Sequence, residues 1–276
     1  MRRILILLFV ISGLGCFEGA PTAPKEPEGF ADGPGATARF SDPFGVAVDG
    51  AGNVYVADTG NQRIRRIDAT GFVTTLAGTG DVGFTDGPGA SALLNNPMGV
   101  AVDVAGNVYV ADRYNHRIRR IDPAGNVTTF AGSGATGIGK GGFADGPGPS
   151  ARFNDPIGVV VDAGGNVFVA DAGNHRIRRI DPAGNVTTFA GTGVRGYVDG
   201  SGPTAQFNDP FGVMVDGVGD IYVADTGNHR IRRIDSTGNV TTLAGTGVSG
   251  FADGSGTAVR FNGPVGVAVD AGGNVF

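Results

Sequence analysis

The chain has 276 residues, a formal net charge of −5 and 51 glycines. Its length allows one large domain with a sizeable core, and its 41% hydrophobic content excludes a low-complexity linker. The mild charge argues against nucleic acid as an obligate partner, so we expect no nucleic-acid binding. All three glutamates (Glu18, Glu26 and Glu28) precede residue 29, and the remainder contains no Glu, Cys or Trp, which narrows the catalytic options.

The first sixteen residues have the pattern of a secretory signal, with Arg2 and Arg3 before a short apolar run at 4–14. The only cysteine, Cys16, follows directly, so this start resembles a bacterial lipoprotein signal in which that cysteine is acylated. We expect a lipoprotein signal peptide at 1–16, a Pro-rich tether at 17–28, and export with lipid anchoring to the bacterial cell envelope through Cys16. The alternative is a plain signal peptide and a secreted protein.

An internal repeat dominates residues 29–276. The string GVAVD or a close variant begins at residues 45, 99, 158, 212 and 266, so successive copies are 54, 59, 54 and 54 residues apart. Each of the first four copies continues with VYVAD-like, RIRRID and VTT-containing runs, separated by turns rich in Gly, Asn and Asp. This pattern predicts four short antiparallel strands in each copy.

Four antiparallel strands form a small sheet that must bury both faces against its neighbours. Radial stacking around an axis achieves this, which predicts an all-β fold, a β-propeller of four-stranded antiparallel blades. We expect four complete blades at roughly 44–78, 98–132, 157–191 and 211–245, and a partial fifth from residue 265. We also expect that residues 29–276 are a truncated propeller, because the last copy stops within its second strand.

The segments that join the copies are long for loops, as at 78–97. Each carries an aromatic residue, then Asp-Gly, then a second apolar residue. The first aromatic is Phe30, Phe84, Phe143, Tyr197 or Phe251. Two apolar anchors at a fixed spacing predict that each segment folds back onto the propeller.

At A-D-x-x-N-H-R-I the sequence resembles the NHL-repeat family. The resemblance rests on ADTGNQRI (57–64), ADRYNHRI (111–118), ADAGNHRI (170–177) and ADTGNHRI (224–231). It implies a β-propeller, commonly six-bladed, so we expect about six blades in the parent of this truncated propeller. It does not specify a function, because relatives bind proteins or RNA and others are lyases or lactonases.

A recurrent aspartate ends the second strand of each copy, five residues before an arginine. The hairpin geometry predicts that a charge-assisted hydrogen bond joins each pair and pins the turn. The pairs are Asp58–Arg63, Asp112–Arg117, Asp171–Arg176 and Asp225–Arg230. The functional alternative is a ring of carboxylates that binds calcium, which would need several oxygens at one point.

His116, His175 and His229 raise a zinc alternative. They occupy the same position in successive blades, and packed sheets lie about 10 Å apart, too far for shared metal ligands. We therefore predict structural histidines, with no metal and no cofactor. The arginine pairs at 65–66, 119–120, 178–179 and 232–233 are expected to pack between blades, with a cationic ring that attracts an anionic polymer as the alternative.

Specific sites on a repeat scaffold are expected where the symmetry breaks. The second copy has Arg113-Tyr114 in place of Thr-Gly, and the joining segment after it carries five extra residues, including Lys140. We predict that Arg113, Tyr114, Lys140 and, in the next segment, Arg195 gather on one rim as a ligand-binding patch for an anionic or sugar ligand. Neutral drift in surface loops is the alternative.

Near-identical copies favour a binding scaffold, since a catalytic site needs dissimilar groups at one place. We expect an extracytoplasmic binding or interaction scaffold without catalytic residues, which presents its rim loops to a protein or carbohydrate ligand. One alternative is a propeller enzyme of lactonase or lyase type with its site in missing blades. Another is a recent duplication without an evolved ligand.

Overall fold

A computed structural model describes residues 29–276 of the chain. The predicted signal peptide, the tether and Cys16 lie outside these residues. Within them, no helix has the length and apolar character needed to cross a bilayer.

Four five-stranded antiparallel sheets follow one another along the chain. The first contains β1 (Gly33–Pro34), β2 (Pro43–Val48), β3 (Val54–Asp58), β4 (Arg63–Ile67) and β5 (Phe72–Ala77). The second contains β6 (Gly87–Pro88), β7 (Pro97–Val102), β8 (Val108–Asp112), β9 (Arg117–Ile121) and β10 (Asn126–Ala131). The third contains β11 (Gly146–Pro147), β12 (Pro156–Val161), β13 (Val167–Asp171), β14 (Arg176–Ile180) and β15 (Asn185–Ala190). The fourth contains β16 (Gly200–Ser201), β17 (Pro210–Val215), β18 (Ile221–Asp225), β19 (Arg230–Ile234) and β20 (Asn239–Ala244).

Short 3-10 turns are the only helical elements among residues 29–276. They are Thr59–Asn61, Arg113–Asn115, Ala172–Asn174, Thr226–Asn228 and Gly256–Ala258. The first four connect the second and third long strands of each sheet.

The sheets form the blades of a β-propeller, which confirms the predicted fold class. In the first blade the spatial order is β1-β5-β4-β3-β2, and the other three repeat it. The inner strands β2, β7, β12 and β17 contact one another in succession. The prediction of four strands per blade was wrong by one, because two residues of each joining segment pair with the outermost long strand, as Gly33 does with Val73.

The hydrophobic core lies between blades, as expected for sheets that bury both faces. Three clusters are each built from two successive blades. Between the second and third blades, for example, Ile118 and Ala131 lie in one cluster with Phe153 and Val169. Phe153 belongs to a joining segment, so the segment contributes to the core.

The inner strand of the first blade is an exception to the expectation that each sheet buries both faces against its neighbours. Val46 is 42% exposed, whereas its equivalent Val100 in the second blade is 5% exposed. Within residues 29–276, no other blade covers the face of β2 that points away from the second blade. At the other end, residues 265–276 form a hairpin in which Val269 pairs with Val275.

Glycine in each inner strand allows close approach of the next blade. A Cβ atom added to Gly212 would lie 2.5 Å from the Val265 carbonyl oxygen. The equivalent atom on Gly45, Gly99 or Gly158 would overlap the carbonyl oxygen of Met98, Ile157 or Phe211, respectively. The distance between blades near the axis is therefore set by backbone against backbone, and no side chain fits between them.

We predict that Gly158→Ala lowers the free energy of unfolding by about 2–3 kcal/mol, because the methyl group must push β12 away from β17. Gly217→Ala is the matched control, since a Cβ there meets nothing within 4 Å. That change should leave stability within about 0.5 kcal/mol. Urea unfolding measures both, and equal midpoints for the two variants would contradict close approach at the axis.

Candidate binding surface

One side of the propeller carries both the 3-10 turns and the first halves of the joining segments. Turn asparagines tie the two together: Asn115 Nδ2 donates to the Gly83 carbonyl at 2.7 Å, and Asn174 Nδ2 donates to that of Gly142 at 2.8 Å. We call this side, formed by the turns and by residues 78–86, 132–145, 191–199 and 245–253, the joining face.

A fully buried arginine in each blade fixes the joining segment that precedes that blade. In the third blade, Arg178 Nη1 donates to Asp171 Oδ2 at 2.7 Å and to the Arg152 carbonyl at 3.0 Å. Its Nη2 donates to Asp145 Oδ1 at 2.5 Å and to the Ala144 carbonyl at 2.8 Å. Arg65, Arg119 and Arg232 make the same set of four bonds in their own blades.

The predicted partner of each recurrent aspartate was therefore wrong. Asp171 lies opposite Arg176 in the strand register, yet its carboxylate bonds to Arg178, two residues further on the same face. The Arg176 guanidinium lies over the Phe143 ring at 3.9 Å and donates to the carbonyls of Asn174 and Thr192. Likewise Asp58, Asp112 and Asp225 bond to Arg65, Arg119 and Arg232 rather than to Arg63, Arg117 and Arg230.

The ion pair between Asp171 and Arg178 forms although its burial removes both charges from water. Burial raises the pKa of the Asp171 carboxyl, while the charge of Arg178 and the hydrogen bonds from Asn174 and the Asn154 amide oppose that rise. Burial likewise raises the pKa of the Asp112 carboxyl, against the opposing charge of Arg119. Removal of one partner of such a pair destabilises the fold more than removal of both, because the remaining buried charge is then left without compensation.

We predict that Arg178→Gln lowers the free energy of unfolding by about 3–5 kcal/mol, because Asp171 keeps a buried charge without its partner. The matched control is Arg179→Gln at the exposed neighbour, which bonds only Asn166 and should cost less than about 1 kcal/mol. Adding Asp171→Asn to Arg178→Gln should recover part of the loss. Equal urea midpoints for the two single variants would show that the pair does not hold the blade.

Each joining segment exposes apolar side chains on the joining face. Each of the four segments of the joining face carries an exposed aliphatic residue a few positions before an exposed aromatic one. The pairs are Val82 and Phe84, Ile138 and Phe143, Val194 and Tyr197, and Val248 and Phe251. In the first three pairs an arginine lies over the aromatic ring, at 4.1 Å for Arg117 over Phe84. The guanidinium groups thus hold the orientation of these three rings. The joining face repeats the aliphatic and aromatic pair four times.

The structure brings together part of the predicted rim patch. Arg113 and Tyr114 lie in the second 3-10 turn, with the guanidinium 4.8 Å from the ring centre. The inserted loop closes on this turn, because the Gly137 amide donates to the Tyr114 carbonyl at 2.6 Å and the Lys140 amide donates to Gly137. Lys140 and Arg195 are exposed. Within residues 29–276, no hydrogen bond or ion pair joins Arg195 to the other three residues.

The histidines join one blade to the next, a role that sequence reasoning missed. His116 Nδ1 accepts the Asp155 amide proton at 3.1 Å, and its Nε2 lies 2.8 Å from the Gly137 carbonyl. His175 accepts from the Asp209 amide in the same way. Gln62 performs this role in the first blade, where its Oε1 accepts from the Asn96 amide at 2.6 Å. The constant 34-residue spacing of the last two contacts was a signal available in the sequence.

These bonds occupy the ring nitrogens of His116 that a metal would need. Over the described part of the chain, no cluster of three or more His, Cys, Asp or Glu residues has a geometry suited to a metal ion. The recurrent aspartates are likewise engaged with arginine rather than with one another.

A cavity of about 320 Å³ lies at the axis, between the inner strands. Phe44, Val100, Ile157, Val213 and Val267 are among its walls. All of the residues that line it are Gly, Pro, Val, Ile or Phe. This lining offers backbone groups and apolar surface, without an acid, a base or a nucleophile.

Two of the proteins to which this chain is similar are much longer. It is 38% identical over 157 residues to Protein SUPPRESSOR OF QUENCHING 1, chloroplastic, of Arabidopsis thaliana, a match that covers 52% of this chain and 14% of that protein. It is 33% identical over 185 residues to human NHL repeat-containing protein 2, covering 62% and 23%, respectively. The chain thus spans less than a quarter of the length of either relative.

Solved structures share the fold. The chain superposes on a gluconolactonase from Xanthomonas campestris with a TM-score of 0.57 and 17% identity, covering 86% of this chain and 69% of that one. The model of the NHL repeat matches residues 40–67, 94–121, 153–180 and 207–234, one match for each blade. Four matches in phase with four blades lead to one conclusion: the chain contains four NHL repeats, one in each of its four blades.

Proposed function

We propose that this chain is an extracytoplasmic binding scaffold that presents its joining face to a protein or carbohydrate ligand. The observation that carries the proposal is the exposed aliphatic and aromatic pair repeated on successive joining segments. Exposed apolar groups that recur in one orientation are typical of an interaction surface, whereas scattered ones are not. The aromatic members offer flat surfaces for a sugar ring or an apolar side chain.

Rigidity supports this proposal. The buried arginines Arg119, Arg178 and Arg232 hold three of the four segments that carry the exposed pairs, so little conformational entropy is lost when a ligand binds to these three. The joining face therefore resembles a preformed surface more than a set of mobile loops.

The enzyme alternative has less support within residues 29–276. The likeness to a gluconolactonase is a likeness of fold, and fold does not determine activity. The axial cavity, where inner strands converge, is lined by apolar residues and glycine. A hydrolase or lyase site requires a positioned acid or base, which that lining does not supply.

The binding test compares variants on the two sides of the propeller. Val82→Ser, Ile138→Ser, Val194→Ser and Val248→Ser together remove four aliphatic groups from the joining face, each more than half exposed. The control is Val104→Ser with Val218→Ser, two exposed valines in hairpin turns on the opposite side. On glycan and peptide arrays, we expect the fourfold variant to lose at least about tenfold in apparent affinity for whatever the unmodified chain binds.

The control variant should bind as the unmodified chain does. Retained binding by the fourfold variant, or an equal loss in the control, would refute the joining face as the binding surface. The same arrays test Arg113→Ala with Tyr114→Ala: reduced binding would include the rim patch in the site, and unchanged binding would exclude it.

We further propose that the chain is exported and anchored to the bacterial cell envelope through an acylated Cys16, with residues 17–28 as the tether. Metabolic labelling with palmitate in a bacterial host should label the chain and should fail to label Cys16→Ala. Labelling of both forms, or of neither, would contradict the anchor. Two or more acyl chains would be needed for stable attachment, since a single chain binds a bilayer only reversibly.

A further inference from the structure

A second cavity, of about 270 Å³, lies in the gap between the second and third blades, at their outer edge. We call it the outer pocket. Its walls include Arg120, Phe130, Pro147, Pro149, Pro182 and Asn185. It opens beside the turns that connect the third and fourth long strands, and it is therefore separate from the joining face.

The strand pattern places one cation in this pocket. Arg120 on β9 lies directly opposite Tyr109 on β8, and Tyr109 belongs to the core cluster shared with the third blade. Arg120 thus faces the gap, while its neighbour Arg119 faces the other way and is fully buried. The Phe130 ring packs edge-on against Tyr109 at 5.2 Å and forms an apolar wall next to the guanidinium.

The outer pocket arginine differs from its equivalents in the other blades. Arg66 and Arg179 donate to Asn53 and Asn166, and Arg233 bonds to Asp220. Across residues 29–276, the Arg120 guanidinium has neither a hydrogen bond nor an ion pair. Its Nε is buried without a partner. A guanidinium that has no acceptor within the protein but lines a pocket favours an anionic ligand, which its terminal N–H groups can bind.

The walls of the outer pocket also differ from those of the other gaps. Three prolines meet there, at 147, 149 and 182. The corresponding residues are Pro88, Ala90 and Pro123 in the gap before it, and Ser201, Pro203 and Ser236 in the gap after it. The second-to-third gap is therefore the one that combines a full set of rigid apolar walls with an unengaged arginine.

We propose that the outer pocket binds a small organic carboxylate carried on a ring. The planar guanidinium of Arg120 would hold the two carboxylate oxygens through paired N–H donors, a geometry that lysine cannot reproduce. The ring would lie against Phe130 and the prolines, which supply apolar surface. The volume is near the lower end for small-molecule sites, so it accommodates one ring rather than a polymer.

The test uses benzoate as the probe and the full chain, with binding followed by NMR titration. We expect saturable binding with a dissociation constant in the range of about 1–10 mM. The neutral analogue benzamide should bind at least about tenfold more weakly, because it cannot accept two charge-assisted bonds. Arg120→Gln should weaken benzoate binding by at least about tenfold as well.

Arg179→Gln is the matched control, because it removes the equivalent cation from the third blade. It should leave benzoate binding unchanged. Glucuronate, tested in parallel, distinguishes the two sources of a ring-borne carboxylate: stronger binding than benzoate identifies a sugar acid, and weaker binding identifies an aromatic or alicyclic acid. Thermal unfolding checks that each variant remains folded.

Unchanged benzoate binding in Arg120→Gln, an equal loss in Arg179→Gln, or no saturable binding of either acid up to about 10 mM would overturn the proposal. None of these results depends on the joining face, whose own variants leave Arg120 in place. The two proposals can therefore fail separately.

Discussion

The rest of the structure depends on the hydrogen bonds that one fully buried arginine makes in each blade. Arg178 connects the end of β13 to two carbonyls and one carboxylate of the segment that joins the second and third blades. A guanidinium can do this because its donors lie in one plane and point in several directions. The long joining segment is thus part of the blade, and its second apolar residue reaches the core: Phe153 is completely buried.

Two further contacts set the relation between blades. Near the axis, glycine allows one inner strand to lie against the next, as Gly158 lies against Phe211. Further out, a histidine or glutamine side chain accepts a backbone amide proton from the following segment, as His175 does from Asp209. Because all of these contacts repeat, the frame is uniform, and the blades differ in individual side chains and in one inserted loop.

Those differences are concentrated around the second and third blades. The inserted loop at 135–142 covers His116 on the joining face, and the unengaged Arg120 lies in the outer pocket of the same gap. A uniform frame makes such departures informative, since packing does not require them. Specific recognition on a repeat scaffold is expected where neighbouring repeats cease to be equivalent.

The sequence predicted the strands, the four blades and the structural use of the joining segments, because alternating apolar runs and turn residues specify these directly. It did not predict the outer two-residue strands, since Gly33-Pro34 reads as a turn. It paired Asp171 with Arg176 from proximity in the hairpin, but the choice between two arginines on one face depends on what surrounds each guanidinium. The Arg176 guanidinium lies over the Phe143 ring, whereas the Arg178 guanidinium donates to the carbonyls of Ala144 and Arg152. Arg195 could not be placed from the sequence because a loop's direction is set by tertiary contacts.

Hydrogen exchange measured by mass spectrometry tests the central claim most directly, namely that the joining segments are fixed parts of the blades. Within residues 142–153, the amides of Gly142, Ala151 and Arg152 are bonded to backbone carbonyls. If the buried arginine holds this segment, these amides should exchange as slowly as those of β14 and β15 and should open with them in one cooperative step. Complete exchange of the segment within seconds, while the strands stay protected, would mean that the segment is a mobile loop and that the joining face is not preformed.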